Sequence, residues 1–365
     1  MPYAFISHAS ACEALRINGL AGEPWPSRSR MLPHRGSCIR LQRDIAQLAR
    51  TVDLKALGII SQPIDILVPS SSVRSRGKRA CTHSWATMIP PASMLRMHKS
   101  VIVSTPEFTI LQLAHRHVRR IPVYDKMIDR HLAEKELLAQ HGIDAPAPVE
   151  DLLEWEHMRH IVSIAQTAME FAGTYRLATP ATDVAYKMPQ LMTIESALAL
   201  LDSSYERNDS PRARRALCLA ANGSASPMET ALFLMLTLPV EMGGFGMPRP
   251  ELNRSVPVRL GDENLAPDIL WREKKLVIEY ESEEFHAGLG RDKTDRDIMR
   301  ANELRSSGYQ VLEATPGIAC QLPRAKMLVE QVARLLGVVL PMPDDNQRRM
   351  RERLHRELFL GNDSR

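Results

Sequence analysis

The chain has 365 residues, of which 44% are hydrophobic and 25% charged, a balance that fits a soluble globular protein with two or three ordinary domains. With 47 basic residues against 43 acidic ones the net charge is only +4, so any nucleic-acid affinity must come from local patches. Five cysteines are scattered without paired spacing, no apolar run approaches the ~20 residues of a membrane span, and the N-terminus lacks a signal peptide's layout; these features argue against a zinc site, a disulfide framework and a membrane protein, and for the cytoplasm.

Residues 1–115 mix short helices and strands with many breakers. The segment Ser7 to Arg16 reads as a helix begun by a Ser cap. Cys38 to Leu57 places Ile45, Leu48, Ala49 and Val52 at helical spacing, and Ile64 to Val68 is an apolar strand stopped by Pro69. Arg74, Arg76, Lys78 and Arg79 form the densest basic patch, in a Ser- and Gly-rich loop. Such a loop either contacts phosphate, making binding salt-dependent, or is simply solvated. His8, His83 and His98 show no metal-ligand spacing, so this half is not expected to bind a metal.

The order of Ile6 to Ala11, Ile64 to Pro69, the basic segment, His83, Ile89-Pro90-Pro91, Val103 to Pro106 and Leu111 to Ala114 resembles the C-terminal domain of AbiEi-type antitoxins. That resemblance implies a regulatory domain and a toxin-like protein partner.

Residues 116–222 read as a mostly helical connector. Met127 to Leu138, Glu150 to Phe171, Ile194 to Asp202 and Ser210 to Ala221 all have helical patterning. No catalytic constellation stands out among them.

From residue 223 to 340 the pattern changes. Ser226-Pro227-Met228-Glu229 opens a helix as a capping box. The Gly-rich run from Gly243 to Pro250 reads as a turn, because it neither follows a strand nor leads to Gly-Lys-Ser/Thr. Ala266 to Trp271 and Leu276 to Glu281 are apolar runs with embedded carboxylates, joined by Arg272, Glu273, Lys274 and Lys275. They predict a β-hairpin in which Trp271 pairs with Leu276 and Asp268 opposes Glu279. Alternation then sets Val277, Glu279 and Glu281 on one face. Three carboxylates on one side either bind a hard cation such as Mg²⁺ or Mn²⁺ or form the wet face of a one-sided sheet. His286 follows in a turn. A helix from about Arg291 to Ser307 carries Arg291, Lys293, Arg296 and Arg300, which can hold phosphates or pair with Asp292, Asp295 and Asp297. Residues 341–365 form a charged tail with Met350, Leu354 and Leu358 at four-residue spacing, an edge suited to docking on the body or a partner.

Asp268, the run Ile278-Glu279-Tyr280-Glu281-Ser282, His286, Arg291-Asp292, Arg296-Asp297 and the strand Tyr309 to Thr315 resemble the PD-(D/E)xK nucleases, most of all their very-short-patch-repair branch. Glu281 departs from the superfamily's Lys, and Ser282 from its usual Gly. The resemblance implies a restriction-endonuclease-like mixed sheet flanked by helices, within an α/β protein. It implies a Mg²⁺- or Mn²⁺-dependent DNA endonuclease or nickase serving phage defence or repair. Asp268 and Glu279 would be metal ligands, Glu281 a ligand or an orienter of water, His286 a general base and Glu229 an auxiliary acid. The alternative is a non-catalytic, antitoxin-like regulator that keeps the nuclease fold and binds nucleic acid or a protein.

Overall fold

The computed structural model describes residues 3–21, 23–24, 42–68, 77–85, 89–115, 140, 149–177, 184–203, 210–260, 263–281 and 291–360. It has the mixed α/β character expected. The chain forms two compact units, one of residues 1–116 with 164–226, the other of residues 117–163 with 227–365. The middle of the chain, read above as one connector, thus contributes to both. The expected helix from Met127 to Leu138 lies outside the described residues.

The first unit is built on β1 (Ala4–Ile6), α1 (His8–Asn18), β2 (Glu23–Pro24), α2 (Gln42–Thr51), β3 (Ile64–Val68), β4 (Ala80–Ser84), β5 (Met94–His98), β6 (Val101–Ser104) and α3 (Pro106–His115). Its sheet runs β2-β5-β6-β1-β3-β4. β1 is parallel to β6 and antiparallel to β3, while β3 is parallel to β4. Within this sheet β6, β1 and β3 are buried along their whole length, which is why they are mostly apolar and do not alternate, with Asp65 and Ser104 as the polar exceptions. Ser7 does occupy the N-cap of α1, yet its side chain makes no cap bond; its Oγ lies 3.0 Å from His8 Nδ1 instead.

Helix α4 (Val149–Phe171) is followed by β7 (Tyr175–Leu177), β8 (Val184–Tyr186), α5 (Ile194–Ser203) and α6 (Ser210–Leu219). The β7–β8 hairpin adds two short strands to a stretch expected to be mostly helical. Glu170, almost fully buried, accepts from Arg16 at both oxygens, at 2.9 and 2.7 Å, and from the Leu177 amide at 3.1 Å. A buried carboxylate survives here because every oxygen is engaged.

The second unit places α7 (Pro227–Thr237) before a four-stranded sheet. That sheet contains β9 (Glu251–Leu252), β12 (Ile269–Trp271), β13 (Leu276–Tyr280) and β14 (Gln310–Ala314), ordered β14-β13-β12-β9. The short ribbon β10 (Arg259–Leu260) and β11 (Glu263–Asn264) precedes the hairpin. β9, β12 and β13 are antiparallel, while β13 and β14 are parallel and joined through α8 (Arg291–Ser306). Val256, Val258, Leu265, Leu270, Val277, Leu304 and Tyr309 form the core under α8. Helices α9 (Pro316–Ala319), α10 (Leu322–Leu336) and α11 (Asp345–His355) complete the unit.

The charged tail docks on its own body. Asp344 and Gln347 form a capping box that starts α11, Met350 and Leu354 are buried, and Arg351 lies 4.0 Å from the Phe245 ring centroid. The backbone of α11 presses on the Gly-rich turn, where Gly243 sits at φ 88° and a Cβ would come within 2.5 Å of Met350 O. Close backbone approach, not phosphate binding, accounts for glycine at that position. Arg159 of α4 donates from Nε to Glu357 at 2.9 Å within the same unit.

Candidate functional site

The hairpin has the register its turn residues dictate. Trp271 pairs with Leu276, Leu270 with Val277 and Ile269 with Ile278. The link is a 3-10 turn over Arg272–Lys274 closed by Lys275 in the left-handed region at φ 46°. One step beyond these pairs, Asp268 stands across from Glu279, and its Oδ2 accepts from the Tyr280 amide at 2.7 Å. That bond pins the Asp268 carboxylate beside β13. Asn253 N donates to Asp268 O at 3.1 Å, and Asn253 Nδ2 donates to Glu229 Oε2 at 2.5 Å. The residue that links them adopts φ 50°, a conformation Asn tolerates better than most. Glu229, in the first turn of α7, is buried and belongs to the same neighbourhood.

β12 is buried throughout and β13 from Leu276 to Ile278, so this hairpin has no wet side at its centre. The Glu279 side chain is 15% exposed. Burial, then the nearby Asp268 carboxylate, push its acid up to about 8, with Glu229 adding in the same direction and Arg300 opposing. The physical cause is plain: a second and third negative charge in a site with little water cannot be accommodated without a proton or a cation.

Arg300 supplies part of that positive charge. It lies one helical turn before the buried Leu304, on the face of α8 that meets the sheet. Its Nη2 is 3.2 Å from Glu279 Oε2 and 3.3 Å from Oε1, and it also donates to Ala266 O. A guanidinium held this way acts first on Glu279. Arg291, Lys293 and Arg296 lie in the first turns of α8, with side chains outside the described residues. So do His286, within 282–290, and Arg74 and Arg76, within 69–76. Glu281 closes the strand edge through its amide, which donates to Ala314 O at 2.8 Å, and its side chain is half-buried.

Asp268, Glu279 and Glu229 are the residues of this unit that can offer oxygen ligands to a hard cation, with Glu281 beside them. Among the described residues, however, the one set of three His, Cys, Asp or Glu donors whose ligand atoms lie within 4.8 Å of one another is elsewhere. It consists of Asp65, Cys81 and His83 in the first unit, a group that can hold a metal ion. This corrects the expectation, drawn from cysteine and histidine spacing, that the N-terminal half has no metal-capable group. Parallel pairing of β3 and β4 sets Asp65 opposite Cys81 and Leu67 opposite His83. The one visible signal was Cys81-Thr82-His83, two donors two apart and therefore on one face of a strand. Its third member is contributed by a strand whose register no local pattern reveals.

A scan against protein-family models finds no match to this chain, and neither the curated proteins nor the solved structures yield one.

Proposed function

We propose that the second unit is a metal-dependent phosphodiester hydrolase that nicks or cuts DNA. The observation that carries this reading is the opposition of Asp268 and Glu279 across a buried hairpin, where burial first and the Asp268 carboxylate second hold the Glu279 acid at about 8. A site with that unmet demand for positive charge suits Mg²⁺ or Mn²⁺. Asp268 and Glu279 would hold the cation, with Glu229 nearby, and the bound cation would polarise the scissile phosphate and acidify a water. The residues have separate tasks. Asp268 is oriented by the Tyr280 amide, Asn253 fixes Glu229, and Arg300 holds the Glu279 carboxyl in place and opposes the rise of its acid. Arg291, Lys293 and Arg296, along the start of α8, would grip the substrate's phosphates.

Purified protein incubated with supercoiled plasmid and Mg²⁺ or Mn²⁺ should convert it to the nicked or linear form. Glu279→Ala and EDTA should each abolish the conversion. Undiminished nicking by the Glu279→Ala variant would remove the site assignment. Intact plasmid, mismatched duplex and single strands with folded wild-type protein would favour the second reading, a regulator that binds without cutting. That reading draws support from Glu281 in place of a Lys on the hairpin and from Arg300, which already gives Glu279 a positive partner.

A further inference from the structure

We propose that Asp65, Cys81 and His83 form a zinc site in the first unit, with three protein ligands and an open fourth position. This inference is independent of the hairpin reading. The donors sit on adjacent hydrogen-bonded strands, so their separation is fixed by the sheet and not by a mobile loop. Cys81 and His83 project to the same side of β4, and Asp65 is the register partner of Cys81 on β3. Their ligand atoms lie within 4.8 Å of one another, and His83 Nε2 is 2.7 Å from Asp65 Oδ1. Donors around one tetrahedral zinc stand about 3.3–3.8 Å apart, given bond lengths of roughly 2.0–2.3 Å, so small rotations of these side chains are enough.

The surroundings hold the donors in place. The His83 ring stacks on the buried His8 ring, with centroids 3.8 Å apart and planes at 25°. Asp65 is fixed through its backbone, since its amide donates to Ser10 Oγ at 2.9 Å and its carbonyl accepts from the Ser7 amide at 3.0 Å. A hydrogen-bonded His–Asp pair alone would need no thiol beside it. The combination of sulfur, imidazole nitrogen and carboxylate oxygen selects a borderline ion over Mg²⁺ or Ca²⁺. The side chains of Asp65 and His83 keep 13% and 21% exposure. Solvent therefore reaches the group, leaving room for a water or small anionic ligand in the fourth position, the arrangement of sites that react and not of those that only brace a fold. Binding would remove the thiol proton of Cys81 and release it to solvent.

Cobalt titration of the full chain tests this. One Co²⁺ per chain should give the visible absorption of a tetrahedral site together with a near-ultraviolet thiolate-to-cobalt band, both displaced by Zn²⁺. Cys81→Ser should abolish the thiolate band, and His83→Gln should weaken Co²⁺ binding at least about tenfold. Glu279→Ala should leave both signals unchanged, which separates this site from the hairpin. A second measurement does not depend on any variant folding: Zn²⁺ should protect Cys81 of the wild-type protein from alkylation, read by peptide mass mapping, and a chelator should remove the protection. No thiolate band, a band that survives in folded Cys81→Ser protein, or equal alkylation of Cys81 with and without Zn²⁺ would each overturn the proposal.

Discussion

Replacing Glu279 by Gln tests the electrostatics of the hairpin without changing its shape. In the folded protein this acid is raised from 4.5 to about 8, chiefly by burial and by Asp268. Well below pH 4.5 the carboxyl is protonated in both folded and unfolded chains, and pH has no leverage through it. Between about 4.5 and 8 the folded protein keeps the proton that the unfolded chain has lost, so stability falls as pH rises through that window. The interval of 3.5 pH units at about 1.4 kcal/mol each sets a ceiling of about 5 kcal/mol. The residual exposure of the side chain leaves some hydration, and a loss of roughly 2–4 kcal/mol is the expected range. The assay is urea unfolding in EDTA at pH 5 and pH 8, followed through tryptophan fluorescence, with the difference between wild type and Glu279→Gln as the readout. Histidines titrate in both proteins and cancel. The variant should lose less stability than wild type on going from pH 5 to pH 8. Two parallel pH profiles would refute the reasoning, and so would a wild type whose stability advantage over the variant grows with pH.

Other substitutions probe the parts that hold each unit together. Arg300→Met removes the guanidinium from Glu279 and should push its acid higher still, so the variant should lose more stability at pH 8 than at pH 5 in the same urea assay. Leu304→Ala empties a fully buried position under β12 and β13 and should cost about 2–5 kcal/mol by chemical denaturation. Arg16→Met strands the buried Glu170 carboxylate and should destabilise the first unit by about 3–5 kcal/mol at neutral pH, read by chemical denaturation. Gly243→Ala forces a side chain into Met350 O at a positive φ and should lower the melting temperature by more than the same change at exposed Gly337, which also has a positive φ but open space around it.

The hairpin could be read from the chain because its information is local. Four charged residues between two apolar runs fix the turn, and the turn fixes which carboxylate faces which. The position of Arg300 was not local information. Its helix and its charge are legible in the chain, but only the packing of Leu304 against the sheet turns that face of α8 toward Glu279 instead of toward solvent. Strands β7 and β8 span three residues each, too few for any period to show, and they lie in a stretch dominated by helical patterning. The Asp65, Cys81 and His83 group was hidden for a different reason. Parallel neighbours are joined by long connections, so nothing near Cys81 in the sequence announces that Asp65 will be beside it.

The ion pair between Arg159 and Glu357 has a consequence for how this chain can be divided. It ties a residue from the first half of the sequence to the closing helical turns of the hairpin-bearing unit, across 198 positions of chain. A fragment cut at residue 227 would carry the whole hairpin, α8 and the tail, yet would leave Glu357 without its guanidinium and would lack the segment 117–163 altogether. The hairpin-bearing unit is contiguous in space and interrupted in sequence. Gene fusion or exchange at its apparent boundary would therefore transfer an incomplete unit, and inheritance of the chain as a whole is the route that preserves it.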